Sequence, residues 1–112
     1  MESTRQLKFA RLIQKEMAEI FRSDSRGLFG NVMITVTQVR MTPDMGIARV
    51  YVSLFPVNDK EKLLENIRSH TGELRRSLGN RIRHQVRIIP ELVFFIDDSL
   101  DYAERIEELL KK

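Results

Sequence analysis

The 112-residue sequence predicts an α+β fold: one three-stranded sheet with helices packed against it. Three observations carry that expectation. Residues 4 to 23 and 60 to 82 repeat apolar side chains at helical spacing. Residues 32 to 41 and 48 to 54 alternate about a break that holds Pro43 and Gly46. A continuous apolar run, Leu92 to Ile96, follows Pro90. The predicted order is helix, strand, strand, helix, helix, strand and a short closing helix, in one domain spanning residues 1–112.

The first helix is amphipathic. Phe9, Ile13, Met17, Ile20 and Phe21 share one side of a 3.6-residue wheel, and Lys8, Arg11, Lys15 and Arg22 fall nearly opposite. Such bases ordinarily form a solvated face, although a run of a single sign also suits a binding face. Ser23 to Asn31 holds turn residues and reads as a loop. Val32, Ile34 and Val36 alternate with Thr35 and Thr37 as a strand up to Met41. Thr42 to Gly46 breaks it, and Ala48, Val50, Val52 and Leu54 alternate with Arg49, Tyr51 and Ser53 as its antiparallel partner.

Asn58 or Asp59 is placed to cap the next helix. From Lys60 onward Leu63, Ile67, Leu74, Leu78 and Ile82 recur at helical spacing, as one long helix or two meeting at a bend. Gly72 and Gly79 interrupt this stretch, and each costs about 1 kcal/mol against Ala inside a helix. They imply a kink, a boundary or a close backbone approach. Leu92 to Ile96 has the continuous apolar character of a strand buried on both faces. Tyr102 to Leu110 reads as the closing helix.

Composition excludes several kinds of chemistry. With no cysteine, disulfides, thiolate zinc sites and thiol nucleophiles are ruled out. Leu92 to Ile96 is far too short to span a bilayer, and the first five residues lack the apolar stretch of a secretory signal, so a cytoplasmic protein is expected. The five glycines are at 27, 30, 46, 72 and 79, and none belongs to a phosphate-binding loop or a dinucleotide fingerprint. His70 and His84 lie in a basic region without an evident catalytic partner. Asp97, Asp98 and Asp101 could gather around Mg²⁺, but acids at the start of a helix are already explained by capping and by the helix dipole. Neither an enzyme nor a cofactor is expected.

Net charge is only +3, yet it is unevenly spread. Arg68 to Ile89 holds six arginines against Glu73, for +5, whereas Asp97 to Lys112 holds six acids against three bases, for −3. The guanidinium is always charged and can pair two phosphate oxygens, so an arginine cluster suits nucleic acid. On an ideal wheel Gly72, Arg76, Gly79, Arg83 and Arg87 share the side opposite Ile67, Leu74 and Leu78. A phosphate backbone could approach at the bare glycines and be held by the arginines. The glycines equally admit another helix of the same domain. Tyr51 and the phenylalanines offer no stacking platform, since Phe9, Phe21, Phe94 and Phe95 fall in core patterns, so recognition of shape and phosphate is expected rather than stacking of bases.

Several blocks resemble the ribosome-binding factor A family along the whole chain. Val39 to Ser53 (VRMTPDMGIARVYVS) is similar to its second-strand signature. Gly72-Glu73-Leu74-Arg75, running through Gly79 and Arg81-Ile82-Arg83 to Arg87-Ile88-Ile89-Pro90-Glu91-Leu92, forms a second block. Phe94 to Leu100 with Arg105-Ile106 and Leu109-Leu110 forms a third.

The resemblance implies a type II K-homology (KH)-like domain in which a helix-kink-helix replaces the Gly-x-x-Gly loop. His70-Thr71-Gly72 stands at the family's Ala-x-Gly kink, keeping the glycine and replacing the alanine, so that His70 could face RNA. Gly79 to Pro90 is about two residues longer than the family pattern, which extends the second helix by roughly half a turn. Ser23 to Asn31 lacks the family's Asp-Pro-Arg.

The resemblance also implies a non-catalytic factor that binds the small (30S) ribosomal subunit and 16S rRNA during late maturation and supports processing of the precursor. Expected RNA contacts are Arg75, Arg76, Arg81, Arg83 and Arg87, with His70 and Gly72 at the kink and Lys8, Arg11 and Lys15 as a second basic surface. A monomer is expected, with no membrane and no small-molecule substrate. Two rivals remain open: a basic module that meets an acidic protein, and a metal-dependent nuclease built on Asp97, Asp98 and Asp101.

Overall fold

The computed structural model describes residues 2–23, 29–30, 32–55 and 59–97. Helix α1 spans Thr4–Arg22 and opens with a reciprocal cap. The Ser3 hydroxyl accepts from the Gln6 N–H, and the Gln6 side chain accepts from the Ser3 N–H, as a Ser-x-x-Gln sequence permits. Gln6 is also buried, and its Nε2 donates to the Met41 carbonyl at 3.0 Å, so one side chain starts the helix and ties it to the sheet.

Strands β1 (Met33–Met41) and β2 (Ile47–Phe55) form the expected antiparallel hairpin. Its turn is held by Asp44, whose carboxylate accepts from the Thr42 hydroxyl and the Gly46 N–H; Met45 takes the positive φ of 62°. Those two hydrogen bonds, the Thr42 one foremost, hold the Asp44 carboxyl below its ordinary pKa. Strand β3 (Glu91–Ile96) pairs parallel to β2, giving the order β1-β2-β3.

The second helical stretch is two helices, α2 (Lys60–Ser69, capped by Asp59) and α3 (Thr71–Ile82). They meet at His70, two residues before Gly72. Three successive side chains cause the break by folding back onto α2's last carbonyls. Ser69 Oγ and His70 Nδ1 both reach the Asn66 carbonyl, at 2.7 and 2.8 Å, and Thr71 Oγ1 donates to the Arg68 carbonyl at 2.7 Å. The three helices of the described residues lie on one face of the sheet. Ile13 and Met17 of α1, Ile67 of α2, Leu78 and Ile82 of α3, and Val50, Val52 and Phe94 of the sheet are fully buried in the layer between. Each such side chain contributes roughly 1.5–3 kcal/mol of burial.

Three sequence expectations are corrected. Helical structure does not continue to Arg87: α3 stops at Ile82, Arg83 caps it, a turn covers 83–85, and Arg87 lies in a bend. Arg87 therefore leaves the wheel shared by Arg76 and Arg83. Strand β3 is not buried on both faces; Leu92 and Phe94 point into the core while Val93 is 37% exposed on the opposite side. Phe95 shares that outer face with Val93 rather than the core pattern. The closing helix, together with Asp98 and Asp101, lies outside the described residues, as do Asn58 and most of the loop from Ser23 to Asn31.

Candidate nucleic-acid interface

Helices α1 and α3 pack side by side, joined by Arg81, whose Nε donates to Glu16 Oε2 at 2.5 Å. With its apolar side on the sheet, α1 turns Lys8, Arg11 and Lys15 outward, all exposed. Leu74, Leu78 and Ile82 face the core from α3, which leaves Arg76 and Arg83 on the outer side, also exposed. The two basic surfaces expected separately thus belong to one helical layer. Arg87 stands at its end, where it and Arg5 line a cleft of about 470 Å³ between the start of α1, the β1–β2 turn and the segment after α3. None of the side chains of Lys8, Arg11, Lys15, Arg76, Arg83 and Arg87 has a hydrogen bond or ion pair among the described residues. Lys8, Arg11 and Lys15 follow at i+3 and i+4, a spacing at which like charges repel, so helix stability does not account for them.

Other arginines of the basic region turn inward on the fold. Arg75 donates from Nε to the Pro90 carbonyl at 3.1 Å and from a terminal nitrogen to the Ile89 carbonyl at 2.7 Å. Arg68 donates to the Phe94 carbonyl at 2.9 Å. In the parallel β2–β3 register the odd-numbered residues of β3 turn their backbone to β2, so the carbonyls of 90 and 94 point to the open edge. Arg68 and Arg75 therefore cover the sheet edge, a place otherwise open to pairing with another chain.

His70 is half-buried. Its ring meets Phe29 edge-on at 5.7 Å and its Nδ1 is taken up by the Asn66 carbonyl, so the larger residue at the kink packs against the fold as well as bordering solvent. Neither glycine admits a neighbouring helix. A Cβ at Gly72 would meet nothing within 4 Å, and one at Gly79 would make ordinary contact with Ile89 at 3.5 Å. Gly72 is exposed among the described residues.

The sequence model of the family described as ribosome-binding factor A matches residues 5–110. The chain belongs to the ribosome-binding factor A family. It is 55% identical over 112 residues to ribosome-binding factor A of Cytophaga hutchinsonii, covering 100% of this chain and 84% of that protein. Among solved structures it is similar to the crystal structure of ribosome-binding factor A from Thermus thermophilus, with TM-score 0.67, 24% identity, and coverage of 81% of this chain and 94% of that one. It is also similar to a Thermus thermophilus homology model of ribosome-binding factor A fitted into a cryo-EM map of a 30S complex. There the TM-score is 0.63 at 23% identity, covering 88% of this chain and 97% of that one.

The shared fold is the KH-like α+β arrangement, α-β-β-α-α-β, with the α2–His70–α3 kink in place of a Gly-x-x-Gly loop. Among the described residues no group of three or more His, Cys, Asp or Glu is placed to hold a metal, and no helix is long and apolar enough to cross a membrane. Asp97, the described member of the acidic trio, accepts from the Thr37 hydroxyl at 2.6 Å across the sheet. Sequence reasoning missed Arg5, which lines the same cleft as Arg87, and it set Tyr51 aside as a stacking platform, although Tyr51 stands with Arg49 on the outer sheet face, alternating with the buried Ala48, Val50 and Val52.

Proposed function

We propose that this chain is a non-enzymatic ribosome-assembly factor of the cytoplasm that docks on the small ribosomal subunit through 16S rRNA during late maturation. In doing so it supports processing of the precursor. The observation that carries this reading is the outer side of the helical layer, where Lys8, Arg11, Lys15, Arg76 and Arg83 are exposed without partners among the described residues, with Arg87 at its end. Cations on one layer suit phosphates, because each bound phosphate releases counterions and favours association at low salt. Gly72, bare and beside Arg76, lets a backbone come close. Arg75 and Arg81 contribute by holding α3 to β3 and α1, and His70 by fixing the kink.

The family assignment supports the ribosomal partner, and the relative fitted with a 30S particle supports the small subunit. Charge reversal of Arg76 and Arg83 to Glu tests the reading by co-sedimentation with immature small subunits across a salt series. Binding should weaken at least tenfold and the plot of log K against log salt should flatten by about 1.4–1.8, from about 0.7–0.9 for each phosphate lost. Unchanged binding and slope, or binding that survives nuclease treatment of the partner, would refute it in favour of an acidic protein.

A further inference from the structure

The face of the sheet turned away from the helices carries two central rows of side chains. In one row Arg40 of β1 stands directly opposite Arg49 of β2, and Val93 of β3 follows. The next row is Gln38, Tyr51 and Phe95, in which the Tyr51 and Phe95 rings stack with centroids 5.3 Å apart and planes 24° from parallel. A β-bulge makes this row. Val36 pairs with Val52 and Gln38 with Tyr51, so Thr37 is the extra residue and Gln38 is brought beside the ring.

Among the described residues, one long ion pair to Arg40 is all that offsets the arginine pair. Like charges directly opposite each other destabilise a sheet. Arg40 meets Glu2 only at 3.9 Å, and the side chain of Arg49 has no ion pair or hydrogen bond among the described residues. Both are exposed. Apart from Glu2, the described acids of this face, Glu91 and Asp97, sit at the two ends of β3 outside those rows, and Asp97 is engaged by Thr37. Two cations held together beside an aromatic stack match a ligand that joins negative charge to flat rings.

We propose that this outer face is a second RNA surface, one that takes unpaired nucleotides. A base stacks on the side of Tyr51 not covered by Phe95, the Gln38 amide lies within reach of its edge, and the adjoining phosphates sit on Arg40 and Arg49. The proposal rests on RNA as the ligand class, as argued above, and assigns it to a surface opposite the helical layer.

Tyr51 supplies its own probe. The chain has no Trp and two Tyr, so Tyr102→Phe in the full chain leaves Tyr51 as the sole source of tyrosine emission. That protein is titrated with an eight-nucleotide single-stranded oligoadenylate and with an abasic phosphodiester of the same length. The oligoadenylate should quench Tyr51 and the abasic strand should not. In separate anisotropy titrations, Tyr51→Leu should weaken oligoadenylate binding roughly 5- to 100-fold, the value of one stacked base, and Arg49→Ser should weaken it without altering the ring. No quenching, or equal quenching by the abasic strand, overturns the proposal. If either occurs while small-subunit binding still depends on Arg76 and Arg83, the outer sheet face is excluded and the helical face stands. If quenching instead disappears with Arg76 and Arg83 reversed, the oligonucleotide belongs to the helical face and the proposal fails.

Discussion

Arg75→Lys separates a cation that holds the fold from one that holds RNA. Arg75 lies on α3 in the middle of the basic region, yet two of its donors go to the Ile89 and Pro90 carbonyls at 2.7 and 3.1 Å. These bonds fix the entry of β3 against α3. A hydrogen bond from a charged donor contributes about 1.5–3 kcal/mol when buried, and the exposure of Arg75 puts each nearer 1 kcal/mol. Lysine keeps the charge but offers a point ammonium instead of a planar fork, so it preserves at most one of the two bonds. The expected loss is about 1–2 kcal/mol. With a urea dependence of about 1.5 kcal/mol per molar, the unfolding midpoint should fall by roughly 0.7–1.3 M. Circular dichroism in urea reads this, and co-sedimentation with small subunits under native conditions should show binding within about threefold of the parent. A midpoint unchanged within 0.2 M, combined with weakened subunit binding, would refute the reasoning and return Arg75 to the RNA interface.

Gly72→Ala should do opposite things to stability and binding. The position is helical and a Cβ there meets nothing, so alanine should stabilise by about 0.5–1 kcal/mol in the same denaturation assay, while small-subunit affinity falls if a phosphate backbone approaches there. Gain in both would remove Gly72 from the interface. Asp44→Asn should change the acid limb of stability. A carboxyl held below its ordinary 3.8 contributes stability that is fully present above that value and is lost as pH falls toward the depressed one. The variant should therefore be less stable than the parent at pH 6, and the difference should shrink as pH falls through and below 3.8. An unchanged difference across that range, read by thermal melts, would show that the turn does not depend on the charge.

The elements were legible because each has one dominant local cause. Period-3.6 and period-2 patterns place α1, β1, β2 and α2, and Pro43 with Gly46 marks the hairpin turn. Two boundaries were harder. The end of α3 at Ile82 has no glycine or proline beside it, and the pattern of bases runs on through Arg87 as though the helix continued. The break at His70 is set by three polar side chains bonding backward to α2, and its nearest sequence marker, Gly72, is displaced from it. Strand β3 was misjudged in its faces because a run of five apolar residues carries no alternation. Only the pairing with β2, which faces Tyr51 to Phe95 on the outer side, assigns them.

The proposed interface was legible as a charge excess on one helix side, but which arginines the fold itself uses was not, for a physical reason. Six arginines between 68 and 89 give the region its +5, but a side chain of that length reaches acceptors far away in sequence. Arg68 reaches the carbonyl of Phe94, Arg75 those of Ile89 and Pro90, and Arg81 the carboxylate of Glu16. Those three are committed to β3 and α1. Arg76, Arg83 and Arg87 are the ones left outward, as their shared side of the wheel indicates, but no wheel shows that Arg75 and Arg81 find acceptors within the fold. The same charge thus does two jobs: the committed half sets the distance and angle between α1, α3 and the sheet, and the free half is displayed on the surface so formed. A uniform loss of arginines would confound the two, whereas replacing one member of each half by lysine or glutamate separates stability from binding residue by residue.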